Sequence, residues 1–163
     1  MYHLSEAYLM AAFIVTLAAY FGALIFGAAA VAPAAVRLLD EQSCAVFLRS
    51  YWLTYHRLAV GGGFLLALIL AVGSIFSAVP LIYATFMLAL ISAMALCFWI
   101  GLQLIPSINA ARDAGDMAGF SSLHRLDVAL IGAGLLLAFS LLVGLIYVLP
   151  GQFTFWPTAL HNA

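Results

Sequence analysis

The chain has 163 residues, of which 67 % are hydrophobic and 7 % are charged, with a mean hydropathy of +1.21. A water-soluble domain of this size needs far more polar surface, so the composition excludes an ordinary soluble fold and points to lipid as the solvent. The formal net charge of -1 does not bear on nucleic acid, but lysine is absent and neither a basic stripe nor a nucleic-acid motif occurs, so no nucleic-acid partner is expected.

A hydrocarbon layer of about 30 Å takes about 20 helical residues. Four continuous apolar stretches meet that length, at residues 8–31, 58–76, 81–105 and 128–149. They lack the alternation of a membrane β-strand, so the expected fold is all-α: four transmembrane helices in an up-down bundle, forming a single membrane domain.

The first span, 8–31, has no basic residue before it and is longer than the core of a cleavable leader. It is expected to stay in the protein. Ala19, Ala23 and Gly27 form a line of small residues along it, suited to close helix packing. Pro33 is expected to end it.

The first connection contains "DEQSCAVFLRSYWLTY". Asp40 and Glu41 suit a helix N-terminus. Cys44, Phe47, Leu48, Tyr51 and Trp52 recur at helical spacing. The segment therefore reads as a short amphipathic helix at the membrane interface, or as a cover for the bundle.

Span two follows His56 and Arg57. A short "SAVP" turn at residues 77–80 joins it to span three, which Pro106 is expected to end. The second connection is polar, with Asn109, Arg112, Asp113 and Asp116. Its "DAGD" should break the helix, and Ser121 or Ser122 should cap span four. His124, Arg125 and Asp127 then lead into that span. The tail carries Phe153, Phe155 and Trp156, which suit a headgroup-level aromatic belt. His3 and His161 read as exposed terminal residues.

All five arginines, at positions 37, 49, 57, 112 and 125, belong to the two longer connections. The positive-inside rule puts those connections in the cytoplasm and both termini outside, as in a multi-pass protein of a bacterial-type inner membrane. Arg57 and Arg125 then mark the cytoplasmic ends of spans two and four. Cys44 and Cys97 fall in unlike settings and are expected to be free thiols.

The two halves share a pattern. Each has a span ending in proline, a polar connection, and a restart at His-Arg-Leu-x-Val. Two repeated helical hairpins about an axis along the membrane normal would bring His56 and His124 together. Such a pair suits bis-histidine heme b. Copper is the other candidate cofactor, with Met94 and Cys97 as added soft ligands. Asp127 falls three residues after His124, close enough to share its face. It reads either as an interfacial partner of Arg57 or Arg125 or as part of a binding or proton-relay site.

No nucleophile elbow, HExxH or phosphate loop occurs, so the reading leans away from an enzyme. The stretches "YFGALIFGAAAVAP", "FLRSYWLTYHR" and "LIPSINAARDAGDMAGFSSLHRLDV" together resemble the membrane family described as domain of unknown function 4149, with which the transmembrane protein 205-like proteins group. The resemblance runs over roughly residues 10–145 and implies a four-helix integral membrane protein. It implies no activity.

The expected function is that of a small inner-membrane accessory subunit, or a transport or binding component. Other membrane subunits or further copies of the chain are its expected partners within the lipid bilayer. His56, Arg57, Asn109, Arg112, His124, Arg125 and Asp127 would form its polar cytoplasmic rim. The alternative is a heme b or copper redox protein using His56 and His124.

Overall fold

The computed structural model describes the backbone of residues 2–75 and 81–148, and the side chains of 8–75 and 81–145. The expected turn at 77–80 and the aromatic tail lie outside the described residues, as do the side chains of His3 and His161. Among the described residues there is no strand. The helices are α1 (Tyr2–Phe26), a π-helical turn (Gly27–Val31), α2 (Ala32–Leu38), α3 (Glu41–Ile75), α4 (Leu81–Asp113) and α5 (Met117–Val148).

Four helical segments are long and apolar enough to cross a bilayer: Tyr8–Leu38, Glu41–Ile75, Leu81–Asp113 and Met117–Leu145. Their order matches the four expected spans. Their lengths do not, because helix and hydrocarbon end at different places. α3 starts at Glu41, not Leu58. α4 runs on to Asp113, and α5 starts at Met117. At 1.5 Å per residue the helices are about 50 Å long, well beyond a hydrocarbon layer of about 30 Å.

The separate interfacial helix is therefore replaced by the first turns of α3. No glycine or proline interrupts residues 41–60, so the hydrogen-bond ladder continues. Tyr51, Trp52 and Tyr55 turn onto the bundle core. Asp40 caps this helix as expected: its Oδ1 accepts from the Ser43 N–H at 3.0 Å.

Two prolines also sit differently from the expectation. Pro33 lies in the first turn of α2, and the chain reaches it without leaving the helix. The turn before it widens, with the Ala32 N–H bonded to the Gly27 carbonyl. That widening accommodates a ring that would press on the preceding carbonyls of a regular helix. Pro106 lies within α4, where it removes one rung of the ladder.

The α4–α5 connection does break at "DAGD". Gly115 takes φ 70°. The Asp116 N–H bonds Ala111 O at 2.9 Å and the Gly115 N–H bonds Arg112 O at 3.1 Å, a Schellman-type ending. The cap of α5 is Asp116, not Ser121 or Ser122. Its Oδ1 accepts from the Gly119 N–H at 2.9 Å. The carboxylate is nearer the start of the helix than either serine, and it suits the positive end of the dipole.

Around the bundle the neighbours run α1, α3, α4, α5 and back to α1. Leu17, Leu66, Ile91, Met94, Phe98 and Leu141 are fully buried between them. Of the expected small-residue line, Gly27 does allow close approach, since a Cβ there would come 3.0 Å from the Tyr55 ring of α3. Ala19 and Ala23 are exposed on the outside, and only Gly27 of that line is buried. A Cβ at Gly134 would come 2.6 Å from the Phe98 ring, and one at Gly63 would come 3.1 Å from Ala95. Two phenols tie α1 to α3: the Tyr20 hydroxyl donates to Ala59 O at 2.8 Å, and the Tyr55 hydroxyl donates to Leu24 O at 3.1 Å.

Candidate functional site

Only two polar or charged side chains are buried among the described residues, and they face each other. His56 on α3 is 0 % exposed and Asp127 on α5 is 3 % exposed. His56 Nε2 lies 3.0 Å from Asp127 Oδ1. The approach is close but out of line for a regular hydrogen bond, and neither atom has another partner. A buried charge without a partner costs several kcal/mol, so each group depends on the other.

The rest of the site explains how they meet. α3 and α5 are diagonal in the bundle, with α4 between them. The α4 residue facing the pair is Gly101. A Cβ there would fall onto His56 Nε2, 2.7 Å from His56 Cδ2 and 2.8 Å from Asp127 Oδ1. A missing side chain on one helix thus lets side chains from two others touch. Phe98, one turn along α4, meets the imidazole edge-on, with centroids 6.2 Å apart. Tyr55 also meets it edge-on, at 5.6 Å.

The other ring nitrogen is fixed by the helix itself. His56 Nδ1 is 2.9 Å from the Trp52 carbonyl oxygen, one turn earlier. A carbonyl only accepts, so Nδ1 carries a hydrogen and donates it. Nε2 is therefore the atom that faces the carboxylate. With one proton held by Nε2 or Oδ1, the pair is neutral in either arrangement, as imidazolium–carboxylate or imidazole–carboxylic acid. Neutrality is what an apolar interior favours.

The remaining expected site residues do not converge on this pair. His124 is exposed and stacks on Phe120 of its own helix, with centroids 5.6 Å apart and planes at 7°. Asp127 thus points inward while His124 points outward, although three residues separate them. His56 and His124 do not face a common pocket, and both nitrogens of His56 are engaged. Nε2 is turned to the Asp127 carboxyl and not towards His124, and the bis-histidine arrangement expected from the repeat is not assembled. No group of three His, Cys, Asp or Glu side chains among the described residues could hold a metal ion.

Asp127 does not pair with Arg57 or Arg125 either. Both arginines are exposed, and the Arg125 Nε–H donates to Ser121 O at 3.3 Å. Asn109 and Arg112 are half-buried, with the Arg112 guanidinium 6.0 Å from the Phe120 ring centroid. The rim does contain one ion pair that the sequence left unjoined. Arg49 of α3 grips Asp113 of α4 with both terminal nitrogens, Nη1 donating to Oδ2 at 3.0 Å. Arg49 holds the Asp113 carboxyl below the usual carboxylate range, chiefly through these hydrogen bonds.

Sequence reasoning singled out both members of the buried pair but not their pairing. It missed Gly101 altogether. The available signal was the four-residue spacing of Trp52 and His56, which lets a ring nitrogen reach a carbonyl on its own helix. Comparison with known proteins leaves the site to its own chemistry: no family model, curated protein or solved structure matches the chain.

Proposed function

We propose that this chain is a non-catalytic, multi-pass protein of a bacterial-type inner membrane, acting as an accessory subunit or binding component. Both termini lie on the outer face, and the arginine-bearing end lies in the cytoplasm. Its partners are other membrane subunits or further copies of itself. The arginine distribution supports the orientation. Exposed Phe64, Leu68, Leu136 and Phe139 fit a surface that meets lipid acyl chains.

One observation carries the choice of a binding component over a self-sufficient carrier. The buried pair occupies one end of the bundle, and among the described residues no buried polar side chain lies between it and the other end. His56, Gly101 and Asp127 each stand about 30 Å along their helices from that far end. That distance is about the whole hydrocarbon thickness. The hydroxyls of Ser74, Thr85 and Ser140 are spent on the carbonyls four residues earlier in their own helices. A solute route through the core needs polar groups at mid-depth, and this core offers apolar packing.

The test is extraction in mild detergent, followed by an absorption spectrum, metal analysis and native mass spectrometry on one sample. The expected result is a colourless, metal-free protein in a discrete oligomer or complex. A Soret band or stoichiometric copper that His56→Ala removes would overturn the reading in favour of a cofactor protein.

A further inference from the structure

We propose that His56 and Asp127 form a proton-binding site that loads and unloads at the arginine-bearing end only. The inference rests on the membrane-embedded reading above and adds the ligand of the buried His56–Asp127 centre. The ligand is a single proton. Trp52 O holds the hydrogen on Nδ1, so the exchangeable proton is the one shared by Nε2 and Oδ1, 3.0 Å apart. Binding it makes the pair neutral. Releasing it to water leaves one negative charge inside the bundle, with no cation against it.

No other group takes up that charge. α4 presents Gly101 and Phe98 to the pair. The titratable groups of the neighbouring segments are the phenols of Tyr20 on α1 and of Tyr51 and Tyr55 on α3, and the half-buried Cys97 thiol of α4, none of them a cation. Tyr20 and Tyr55 donate to backbone carbonyls. Arg57 and Arg125 are exposed, and Arg49 is engaged with Asp113. The state of the pair is therefore set by the water it can reach.

The fold makes that access one-sided. Towards the far end the core is Phe98, Met94, Ile91, Leu66, Leu141 and Met87, all buried, over about 30 Å. Towards the arginine-bearing end the helices continue for only about 15–22 Å. There, beyond Ile105 and Ile108, the half-buried Asn109 and Arg112 and the Arg49–Asp113 pair meet water. A proton path needs closely spaced polar groups or ordered water. Towards the far end the hydroxyls of Tyr20, Ser74, Thr85 and Ser140 are spent on backbone carbonyls, whereas the second direction leads to the charged and amide side chains of the rim. The site responds to the pH of one compartment without conducting across the membrane.

The experiment uses the full chain with His56 as its single histidine (H3Q, H124Q, H161Q), labelled with nitrogen-15 histidine and sealed in oriented phospholipid vesicles. Nitrogen chemical shifts report the protonation of each ring atom while the pH is varied on one side at a time. The expected result has Nδ1 protonated throughout and one titration step of the pair, which follows the pH at the arginine-bearing face and which D127N abolishes or displaces. Three results would overturn the proposal: no step before unfolding, a step unchanged in D127N, or a step that follows the other face. If D127N does not fold, the side dependence in the His56-only chain decides by itself. Cysteine labelling at S107C fixes which face is cytoplasmic. If the arginine-bearing end proves external while the step still follows it, the orientation fails and the proton site stands.

Discussion

His56 and Asp127 meet at 3.0 Å across the diagonal of a four-helix bundle, and Gly101 on the intervening helix leaves the room for them. Three helices are thus committed to one contact, and each contributes something different: a ring, a carboxyl and an absence.

The absence is the easiest part to test. Gly101→Ala places a Cβ against His56 and Asp127 at once, and neither is a freely moving chain end. Overpacking of this kind costs about 1–3 kcal/mol. Gly61→Ala has nothing within 4 Å of its new Cβ, and in a helix it should be neutral or mildly stabilising. Thermal unfolding in detergent should lower the melting temperature of the first variant only.

The pair itself should behave as a unit. Removing one partner strands the other in an apolar core, at about 3–5 kcal/mol for His56→Leu or Asp127→Leu alone. The double variant removes both polar groups, so it should cost much less than the sum of the single changes. A double-mutant cycle measured by unfolding gives the coupling. Additive costs would mean that the two side chains act independently.

The rim pair, Arg49 and Asp113, should respond to acid. The folded-state carboxyl titrates below its ordinary range because Arg49 favours the charged form. Its stabilising contribution is therefore present above the unfolded-state value and is lost as pH falls through the folded-state value. A coupling measured with Arg49→Gln and Asp113→Asn should be present at neutral pH, vanish in strong acid and shrink in high salt. Both side chains are largely exposed, so the effect should be much smaller than that of the buried pair.

Gly115→Ala tests the α4–α5 turn. The residue sits at φ 70°, where a Cβ costs about 1–2 kcal/mol. Gly115→Asn should cost less, since asparagine tolerates this region better. Equal losses for both would mean that φ is not what the position requires.

What the residues alone determined is four helices, each long and apolar enough to cross a bilayer. Continuous apolar runs longer than a bilayer is thick have one stable backbone solution, so four spans were legible, as was the break at "DAGD". The cap at Asp40 was legible, as was the helical spacing of Tyr51 and Trp52, but whether that face met the membrane surface or the bundle was left open. Helix ends were less legible, because hydropathy marks where lipid begins, while a helix goes on until a breaker stops it. α3 therefore starts at Glu41 and α4 passes through Pro106.

The site was half legible. A carboxylate entering an apolar span is costly enough to stand out, and Asp127 did. Its partner was not readable, because local spacing offered His124 and Arg125, while burial depends on the angle at which each residue leaves its helix. That angle turns Asp127 inward and His124 outward on the same face-sharing spacing. Only the packing of three helices decided that Gly101 would be opposite His56, and that two groups far apart in the chain would share one enclosed space.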